Sequence, residues 1–271
     1  MKVDLHMHST ASDGRLSPGT VMKQAHRAGL SMVSLTDHDT VAGWGEARAR
    51  ATELGLGLVT GCEISTREHG REVHLLAYGF DISDDTLLCF LARQQERRNE
   101  RALTFIERFK KAGLVPSDVQ LPEAPEGRSW ARPHLGAVLV EHGAVSDMNE
   151  AFARYLSPGC ALFVEKPMPG GREVMEVVHG AGGRIFLAHP GHHVPHAVVL
   201  SLVRQGLDGL EVVHPSHDIM LRRYYRDMAD RFGLLKSGGS DFHGRTNRGE
   251  PPLGETWLEP DAALLDALRT H

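Results

Sequence analysis

Histidine is abundant in this sequence and recurs beside acidic residues. The chain has 271 residues and 17 histidines, against nine phenylalanines. Imidazole is the commonest protein ligand for metal ions and the usual proton carrier near neutral pH. Histidine and carboxylate stand together in DLHMH at 4–8, LTDHD at 35–39 and SDFHG at 240–244. These residue types in this pattern predict a metal centre.

Each of these clusters follows a short apolar run that is typical of a β-strand. Seven such runs are predicted, over 3–7, 32–35, 57–64, 73–80, 184–188, 207–213 and 234–237. Helical patterns lie between most of them, which predicts βαβ units and a parallel sheet. Seven strands could close into a barrel or form an open sheet. In a barrel, the active site lies where the carboxyl ends of the strands meet.

The candidate ligands lie at or after the carboxyl end of a predicted strand, except His74, which lies near the start of the strand predicted over 73–80. They are His6, His8, Asp13, His38, Glu63, His74, His189, Asp241 and His243. The set contains histidine and carboxylate but no cysteine, which favours Zn, Mn or Fe over a structural cysteine–zinc site. Nine ligands are too many for one ion and suit two or three ions that share a carboxylate. Metal-bound imidazoles also need their second nitrogen anchored, and Asp37 and Asp39 are candidates for that role.

The segment from 85 to 164 interrupts the alternation of strands and helices. It begins with a long helical pattern, continues through a Pro- and Gly-containing loop over 115–129 and then predicts two shorter helices. We therefore expect two domains. Residues 1–84 and 165–271 would carry the metal site, and residues 85–164 would form a helical insertion (cap) domain.

Composition restricts the partners and the location of the protein. Charged residues make up 24% and hydrophobic residues 41%, an ordinary globular mixture. The 30 basic and 35 acidic residues give a net charge of −5, which argues against long duplex nucleic acid as a partner. The amino-terminal segment lacks the apolar core of a signal peptide, and no apolar stretch is long enough to span a membrane. These features predict a cytoplasmic protein with no membrane association and no obligate protein partner.

Six motifs, in order, resemble the PHP family, the polymerase-and-histidinol-phosphatase phosphoesterases. They are HMH at 6–8, SDG at 12–14, TDHD at 36–39, GCEIS at 61–65, AHP at 188–190 and GGSDFHG at 238–244. The resemblance is closest to the stand-alone branch, which includes 3′,5′-nucleotide bisphosphate phosphatases and 5′→3′ exonucleases of short RNA. It implies an α/β fold, namely a distorted seven-stranded (β/α) TIM-like barrel with a helical insertion domain.

The resemblance also implies how the ligands divide among two or three divalent ions. The first ion would be held by His6, His8, Glu63 and Asp241, the second by Glu63, His74 and His189, and the third by Asp13, His38 and His243. Asp13 stands where some relatives have histidine. Mn is the expected metal, with Zn or Fe as alternatives. Glu63, Asp241 and His243 are the predicted catalytic residues.

Cationic residues in and beside the insertion are candidates for substrate binding. Arg132 and His134 form an RPH motif that resembles the nucleotide branch, and Lys166 lies where the chain returns to the barrel. Arginine can bind phosphate through two parallel hydrogen bonds, whereas lysine acts as a point charge. His214, in VVHPSHD, is a further candidate for contact with the phosphate or the leaving group.

The leading hypothesis is a metal-dependent phosphatase that hydrolyses a phosphate monoester of a small nucleotide, above all a 3′,5′-nucleotide bisphosphate. Attack by a metal-bridging hydroxide would break the bond. A 5′→3′ exonuclease on short 5′-phosphorylated RNA and a histidinol-phosphate phosphatase are alternatives with the same chemistry. An amidohydrolase-type C–N hydrolase and a non-catalytic metal-binding protein are alternatives of another class. Amidohydrolases typically bridge their metals with a carboxylated lysine, and here Glu63 occupies that position.

Overall fold

The chain folds as two compact units. The computed structural model of the protein describes residues 1–121, 129–245 and 251–268. The first unit comprises Met1–Leu91 and Met168–His271, and the second comprises Ala92–Pro167. The boundary between them falls inside a 27-residue helix, Asp85–Lys111. The domain limits expected from the sequence stay a prediction, and the expected loop over 115–129 lies partly outside the described residues.

The described strands all belong to the first unit and form two sheets. One sheet contains three parallel strands, and the other contains five strands in sequence order. In chain order the strands are β1 (Val3–Asp4), β2 (Met32–Ser34), β3 (Gly57–Val59), β4 (Gly61–Glu68), β5 (Arg71–Tyr78), β6 (Arg184–Leu187), β7 (Gly209–Val213) and β8 (Leu235–Gly238).

Isolated bridges join residues of the two sheets near the strand ends. Met7 bridges Phe242, and His38 bridges Glu63, both in parallel orientation. The expected mixed α/β fold is confirmed. Within the described residues, however, the strands number eight and lie in two sheets, so a closed barrel of seven strands stays a prediction.

The expectation of a parallel sheet is wrong around β5. This strand pairs antiparallel with both β4 and β6. β4 and β5 are joined by His69 and Gly70, whose φ angles of 48° and 74° are those of a tight two-residue hairpin turn. A turn this short leaves no room for a crossover helix, which parallel strands require. The single strand expected over 57–64 is also two strands, with the break at Thr60.

Helices connect most of the strands. In chain order they are α1 (Pro18–Arg27), α2 (Trp44–Leu54), α3 (Asp85–Lys111), α4 (Arg132–Glu141), α5 (Met148–Ala151), a π-helical turn (Phe152–Leu156), α6 (Gly171–Gly180), α7 (His196–Gln205), α8 (Ile219–Phe232) and α9 (Ala262–Ala267). α1 begins with Pro18, and the Ser17 side chain caps it by accepting a hydrogen bond from the backbone N–H of Thr20. Among the described residues, no helix has both the length and the apolar character that a membrane span needs. The cytoplasmic location is therefore still a prediction.

The second unit is helical and has its own apolar core. Phe105, Phe109, Leu139 and Leu156 are fully buried in one cluster of this unit. The rings of Phe105 and Phe109 lie 5.7 Å apart in a tilted arrangement, which is favourable for aromatic pairs. Packing of this kind stabilises the unit through burial of apolar surface.

Candidate metal centre

Four side chains carried by three strands of the first unit converge. His6 and His8 follow β1, Glu63 lies in β4, and Asp241 follows β8. Nε2 of His6 lies 3.2 Å from Glu63 Oε2 and 3.3 Å from Asp241 Oδ1. Nε2 of His8 lies 3.1 Å from each of the same two oxygens. Ligands about 2.0–2.1 Å from a tetrahedral ion lie roughly 3.3 Å apart, so this spacing fits one small divalent ion.

Glu63 connects this group with a second set of imidazoles. Its Oε1 atom lies 2.7 Å from Nδ1 of His74 and 2.9 Å from Nε2 of His189. Its Oε2 atom lies 3.2 Å from Nδ1 of His38. Ligand atoms of His38, Glu63 and His74 all lie within 4.8 Å of one another. The structure therefore brings His38, which the sequence groups with the third ion, within reach of the second group as well.

A third group forms around Asp13, in the loop after β1. Ligand atoms of Asp13, His8, His38 and His243 lie within 4.8 Å of one another. Oδ1 of Asp13 lies 3.2 Å from Nε2 of His243 and 3.9 Å from Nδ1 of His8. Oδ2 of Asp13 accepts a hydrogen bond of 2.9 Å from Nη2 of Arg245, a partner that the sequence pattern does not indicate. Arg245 thus holds one carboxylate oxygen while the other faces the imidazoles.

Several buried donor and acceptor atoms of these residues make no hydrogen bond. They are both ring nitrogens of His8, Oδ1 of Asp13, Nδ1 of His74 and Nε2 of His214. An unsatisfied buried polar atom costs about 1–3 kcal/mol. Nε2 of His8 and Nδ1 of His74 lie close to Glu63 oxygens, but not at hydrogen-bonding angles. Cations shared among these atoms would satisfy them together, so the residues present fit divalent metal ions.

The carboxylates strongly change the protonation of the imidazoles. Burial lowers the pKa of His8, but Asp241 and Glu63 outweigh burial and raise that pKa to about 10. Burial likewise lowers the pKa of His74, and Glu63 together with Glu72 raises it to about 9. Burial raises the pKa of Glu63, yet the surrounding imidazoles hold it well below its usual range. Metal ions bind deprotonated imidazole and carboxylate, so binding here would release protons.

Glu211, in β7, is a buried carboxylate that contacts two predicted ligands. Its Oε1 atom lies 3.0 Å from Nδ1 of His6, and its Oε2 atom accepts a 2.6 Å hydrogen bond from the backbone N–H of His189. A metal-ligating histidine needs its other ring nitrogen anchored. Glu211 therefore orients His6 and fixes the backbone at His189. Sequence spacing does not indicate that Glu211 supports these two ligands, although Glu211 lies on a strand that ends at the site.

Two other carboxylates brace the loops around the site. Asp37 accepts hydrogen bonds from the backbone N–H and hydroxyl of Ser9, at 2.8 and 2.7 Å, and from the hydroxyl of Ser12, at 2.6 Å. Asp39 accepts a 2.8 Å hydrogen bond from the backbone N–H of Ser65. These contacts hold the loop after β1 and the segment after β2 in place.

Backbone strain is concentrated at the same strand ends. Asp39, His189 and Asp241 have φ angles of 53°, 25° and 53°, in the left-handed region that non-glycine residues avoid. Each such residue costs on the order of 1–3 kcal/mol and persists only where its surroundings enforce it. Two of the three, His189 and Asp241, are predicted ligands. Their strained backbone conformations therefore direct ligand side chains into the site.

His214 lies at the edge of the first group. Its Nε2 atom is 3.6 Å from Oδ2 of Asp241, and its Nδ1 atom is 2.7 Å from the hydroxyl oxygen of Ser216. The structure thus brings His214 beside a predicted ligand. Its contact with a phosphate or a leaving group stays a prediction.

The other three candidates for substrate binding belong to the second unit. The Arg132 guanidinium, at the start of α4, lies 5.9 Å from the centre of the Phe152 ring. Nδ1 of His134 accepts a 2.9 Å hydrogen bond from the backbone N–H of Ala131 and so caps the same helix. Lys166 is only 3% exposed, which is unusual for lysine. Their roles toward substrate are not tested by these contacts.

A mixed α/β fold with imidazoles and carboxylates gathered at strand ends defines a class of metal-dependent hydrolases. Residues 4–179 match the PHP domain family, and the chain belongs to this family. It is similar to a 3′,5′-nucleoside bisphosphate phosphatase of Chromobacterium violaceum, with 32% identity over 278 residues, 97% of this chain and 98% of that protein. It is also similar to a 5′-3′ exoribonuclease of Haemophilus influenzae, with 36% identity over 248 residues, 89% of this chain and 90% of that protein.

Among solved structures, the chain resembles a Bifidobacterium adolescentis protein provisionally described as a metal-dependent phosphoesterase. The TM-score is 0.85 and the identity 32%, over 98% of this chain and 95% of the other. Together with the family match, this likeness identifies a metal-dependent phosphoester hydrolase. The alternative of a non-catalytic metal-binding protein is therefore set aside.

Proposed function

We propose that this phosphoester hydrolase removes a phosphate from a nucleotide 3′,5′-bisphosphate. The observation that carries the proposal is the position of Glu63, whose Oε1 faces His74 and His189 while its Oε2 faces His6, His8 and His38. A carboxylate that faces two sets of donors is what a pair of ions about 3.5–4 Å apart requires. Such pairs serve the hydrolysis of phosphate esters.

Three groups of residues would hold the ions. These are His6, His8, Glu63 and Asp241, then Glu63, His74 and His189, and finally Asp13, His38 and His243. When bound, divalent ions would neutralise phosphoryl oxygens and make water a stronger acid. Mn is the metal we propose, with Zn or Fe as alternatives, because the donors are imidazole and carboxylate without thiolate.

The protein's own groups would position the ions and the substrate. Glu63, Asp241 and His243 are the proposed catalytic residues. Glu63 belongs to two of the groups, and Oδ1 of Asp241 lies 3.6 Å from Nδ1 of His243, a member of another group. Nε2 of His214 is buried without a hydrogen bond beside Asp241, which supports a contact with the phosphate or the leaving group. Arg132 and Lys166 are proposed to bind phosphate oxygens as charged donors, and His134 through its other ring nitrogen, Nε2.

The proposed substrate class is supported by relatives that match nearly the whole chain. The Chromobacterium violaceum protein is named for 3′,5′-nucleoside bisphosphates, and its match covers 97% of this chain. A second candidate, 5′→3′ exonuclease action on short RNA, is favoured by the Haemophilus influenzae relative at 36% identity. Both substrates present a phosphate attached to ribose and differ in the group that the ribose carries on its 3′ side. The net charge of −5 weighs against long nucleic acids in either case.

Phosphate release from a panel of substrates tests the proposal. The panel contains a 3′,5′-bisphosphate nucleotide, a nucleoside 5′-monophosphate, histidinol phosphate and a short 5′-phosphorylated RNA, each with added Mn and with a chelator as control. We expect Mn-dependent release that is fastest from the bisphosphate. Preferential nucleotide release from RNA would favour the exonuclease, and preference for histidinol phosphate would favour that third activity. No release from any substrate would overturn the proposal.

A further inference from the structure

The first turns of α8 expose large apolar and aromatic side chains. Ile219 is 83% exposed, Met220 69% and Tyr224 45%. The phenolic oxygen of Tyr224 lies 3.0 Å from Nδ1 of His196, an exposed residue at the start of α7. We call these four residues, His196, Ile219, Met220 and Tyr224, the α8 patch. Exposed apolar side chains gathered in one place commonly mark a binding surface.

A series of ring contacts leads from the metal centre to the α8 patch. The His214 ring lies 5.3 Å from the ring of His189 and 5.5 Å from that of His217. The His217 ring stacks on Tyr225 at 5.3 Å, and Tyr225 lies 5.1 Å from Tyr224. The His217 and Tyr225 rings are buried, so this series runs beneath the surface. Its three steps place the His214 and Tyr224 rings no more than about 16 Å apart, a distance that about five nucleotides at roughly 3.4 Å each would span.

Hydrogen bonds fix the residues beneath the patch. The Tyr225 hydroxyl donates to the carbonyl oxygen of Gly191 at 2.6 Å, and the Gly191 N–H donates to Nε2 of His217 at 3.1 Å. Nε of Arg222 donates to the carbonyl oxygen of His217 at 3.0 Å. The exposed ring of Tyr224 therefore rests on a rigid base, which lowers the entropy cost of stacking a ligand on it.

Charge on the same helix suits a polyanion that carries flat rings. The Arg223 side chain is 78% exposed, and its Nε atom lies 3.9 Å from Oδ2 of Asp227, at the limit of an ion pair. Arg226 is also exposed on α8. Aromatic rings interleaved with cations are the usual means of binding single-stranded nucleic acid without sequence preference. A purely apolar partner would not need the exposed arginines.

We propose that the α8 patch binds nucleobases of a short single-stranded oligonucleotide whose scissile phosphate lies in the metal centre. This inference rests on the proposed nucleotide activity and adds the surface that would receive the bases beyond the terminal nucleotide. Stacking on an aromatic side chain is worth about 5- to 150-fold in affinity per base. The patch should therefore favour an oligonucleotide that carries bases beyond the first nucleotide over the same backbone without those bases.

Two RNA pentamers with a 5′ phosphate test this inference, one complete and one abasic at positions two to five. With Mn, the wild-type protein should show kcat/KM about 5- to 150-fold higher for the complete pentamer. Tyr224→Ala and Met220→Ala should lose most of this preference and keep the wild-type rate on the abasic pentamer. Tyr224→Phe should retain the preference because it keeps the ring. Leu103→Ala, which truncates a 55% exposed side chain in the second unit, is the matched control.

Equal rates on both pentamers, or equal losses on both in Tyr224→Ala, would overturn the inference. If the wild-type protein hydrolyses neither pentamer, fluorescence anisotropy of a labelled complete pentamer still decides the matter. The patch is supported if the wild-type protein binds the complete pentamer more tightly than Tyr224→Ala does, and the two proteins bind the abasic pentamer equally. Equal binding would reject it. Failure of the proposed function is separate, since it shows as absent phosphate release across the whole substrate panel.

Discussion

The first unit of this protein buries a cluster of imidazoles and carboxylates in addition to its apolar cores, whereas the core of the second unit is a cluster of apolar side chains. In the first unit, His6, His8 and Glu63 are at most 1% exposed, and both ring nitrogens of His8 are buried without a hydrogen bond. In the second unit, rings such as Phe105 and Phe109 fill an apolar core. Buried charge is unfavourable unless it is compensated, whereas buried apolar surface stabilises directly. The ligand cluster therefore costs free energy when no cation is bound, and the apolar cores must offset that cost.

Removal of the shared carboxylate is expected to have the largest effect. Glu63→Gln should lower kcat at least about 10³-fold and reduce the number of bound ions, because metal assistance is worth several kcal/mol. Phosphate release measures kcat, and metal analysis of the purified protein measures the number of bound ions. Glu68→Gln is the matched control in the same strand, since Glu68 is buried but accepts hydrogen bonds from Ser201 and Gln205. Full activity of Glu63→Gln would contradict the assignment.

Truncation of the second core should change stability and leave the metal content intact. Phe105→Ala is expected to lower the free energy of unfolding of the second unit by about 3–5 kcal/mol, because it removes a fully buried ring. Urea unfolding measures this change. Leu103→Ala, at a 55% exposed position on the same helix, should stay within about 0.5 kcal/mol of wild type. Loss of metal from Phe105→Ala would contradict the expectation that the second core does not support metal binding.

Stability of the metal-stripped protein should fall as pH rises. In the folded chain the pKa values of His8 and His74 are raised to about 10 and about 9, against 6.5 for ordinary histidine. The folded state therefore binds more protons than the unfolded state above pH 6.5. The stabilisation is full below that pH and is lost as pH rises through 9 to 10.

Urea midpoints of chelated protein at pH 6.5 and pH 9.5 check this expectation. The metal-loaded protein is the control, because bound ions replace the protons and should remove the pH dependence in this range. A midpoint of the chelated protein that stays constant or rises with pH would show that the histidines are not held protonated by Glu63 and Asp241.

A smaller effect is expected at Arg132, which is proposed to bind phosphate. Arg132→Ala should lower kcat/KM roughly 10- to 100-fold, the value of one charged hydrogen bond to phosphate, and should leave metal content unchanged. Arg154→Ala, at a position 53% exposed in the same unit, is the control and should behave as wild type. If Arg132→Ala lost its ions, the assignment of Arg132 to substrate would be wrong.

The candidate site could be predicted from sequence because its residues follow strand ends. His6, Glu63 and Asp241 lie far apart in the chain, but strand ends bring them to the same place, so position relative to each strand was informative. Glu211 and Arg245 were missed as supporting residues because nothing in their spacing distinguishes a residue that holds a ligand from an ordinary charged residue. Only the distances show that each contacts a predicted ligand.

The fold was less completely predictable, for reasons of local backbone geometry. Apolar runs indicate strands but not their direction, and the turn at His69 and Gly70 reverses the chain where a parallel sheet was expected. The break at Thr60 likewise lies inside one apolar run. Gly61 comes directly after the break, and a side chain there would collide with the hydroxyl of Ser34. Close approaches of this kind depend on tertiary packing and leave little trace in hydrophobic patterning.

The pairing of the first strand with the last part of the chain affects how the protein is made. Val3 bonds to Leu258, and the backbone of Leu5 donates to Gly238. At synthesis rates of about 5–20 residues per second, the ribosome takes roughly 10 to 50 seconds to go from one partner to the other. During that interval His6 and His8 belong to a unit whose last strand has not been made. Residues 102–164, which supply the second core, are complete well before it ends. A nascent chain with unpaired strand edges for so long would depend on chaperones more than the length of the protein suggests.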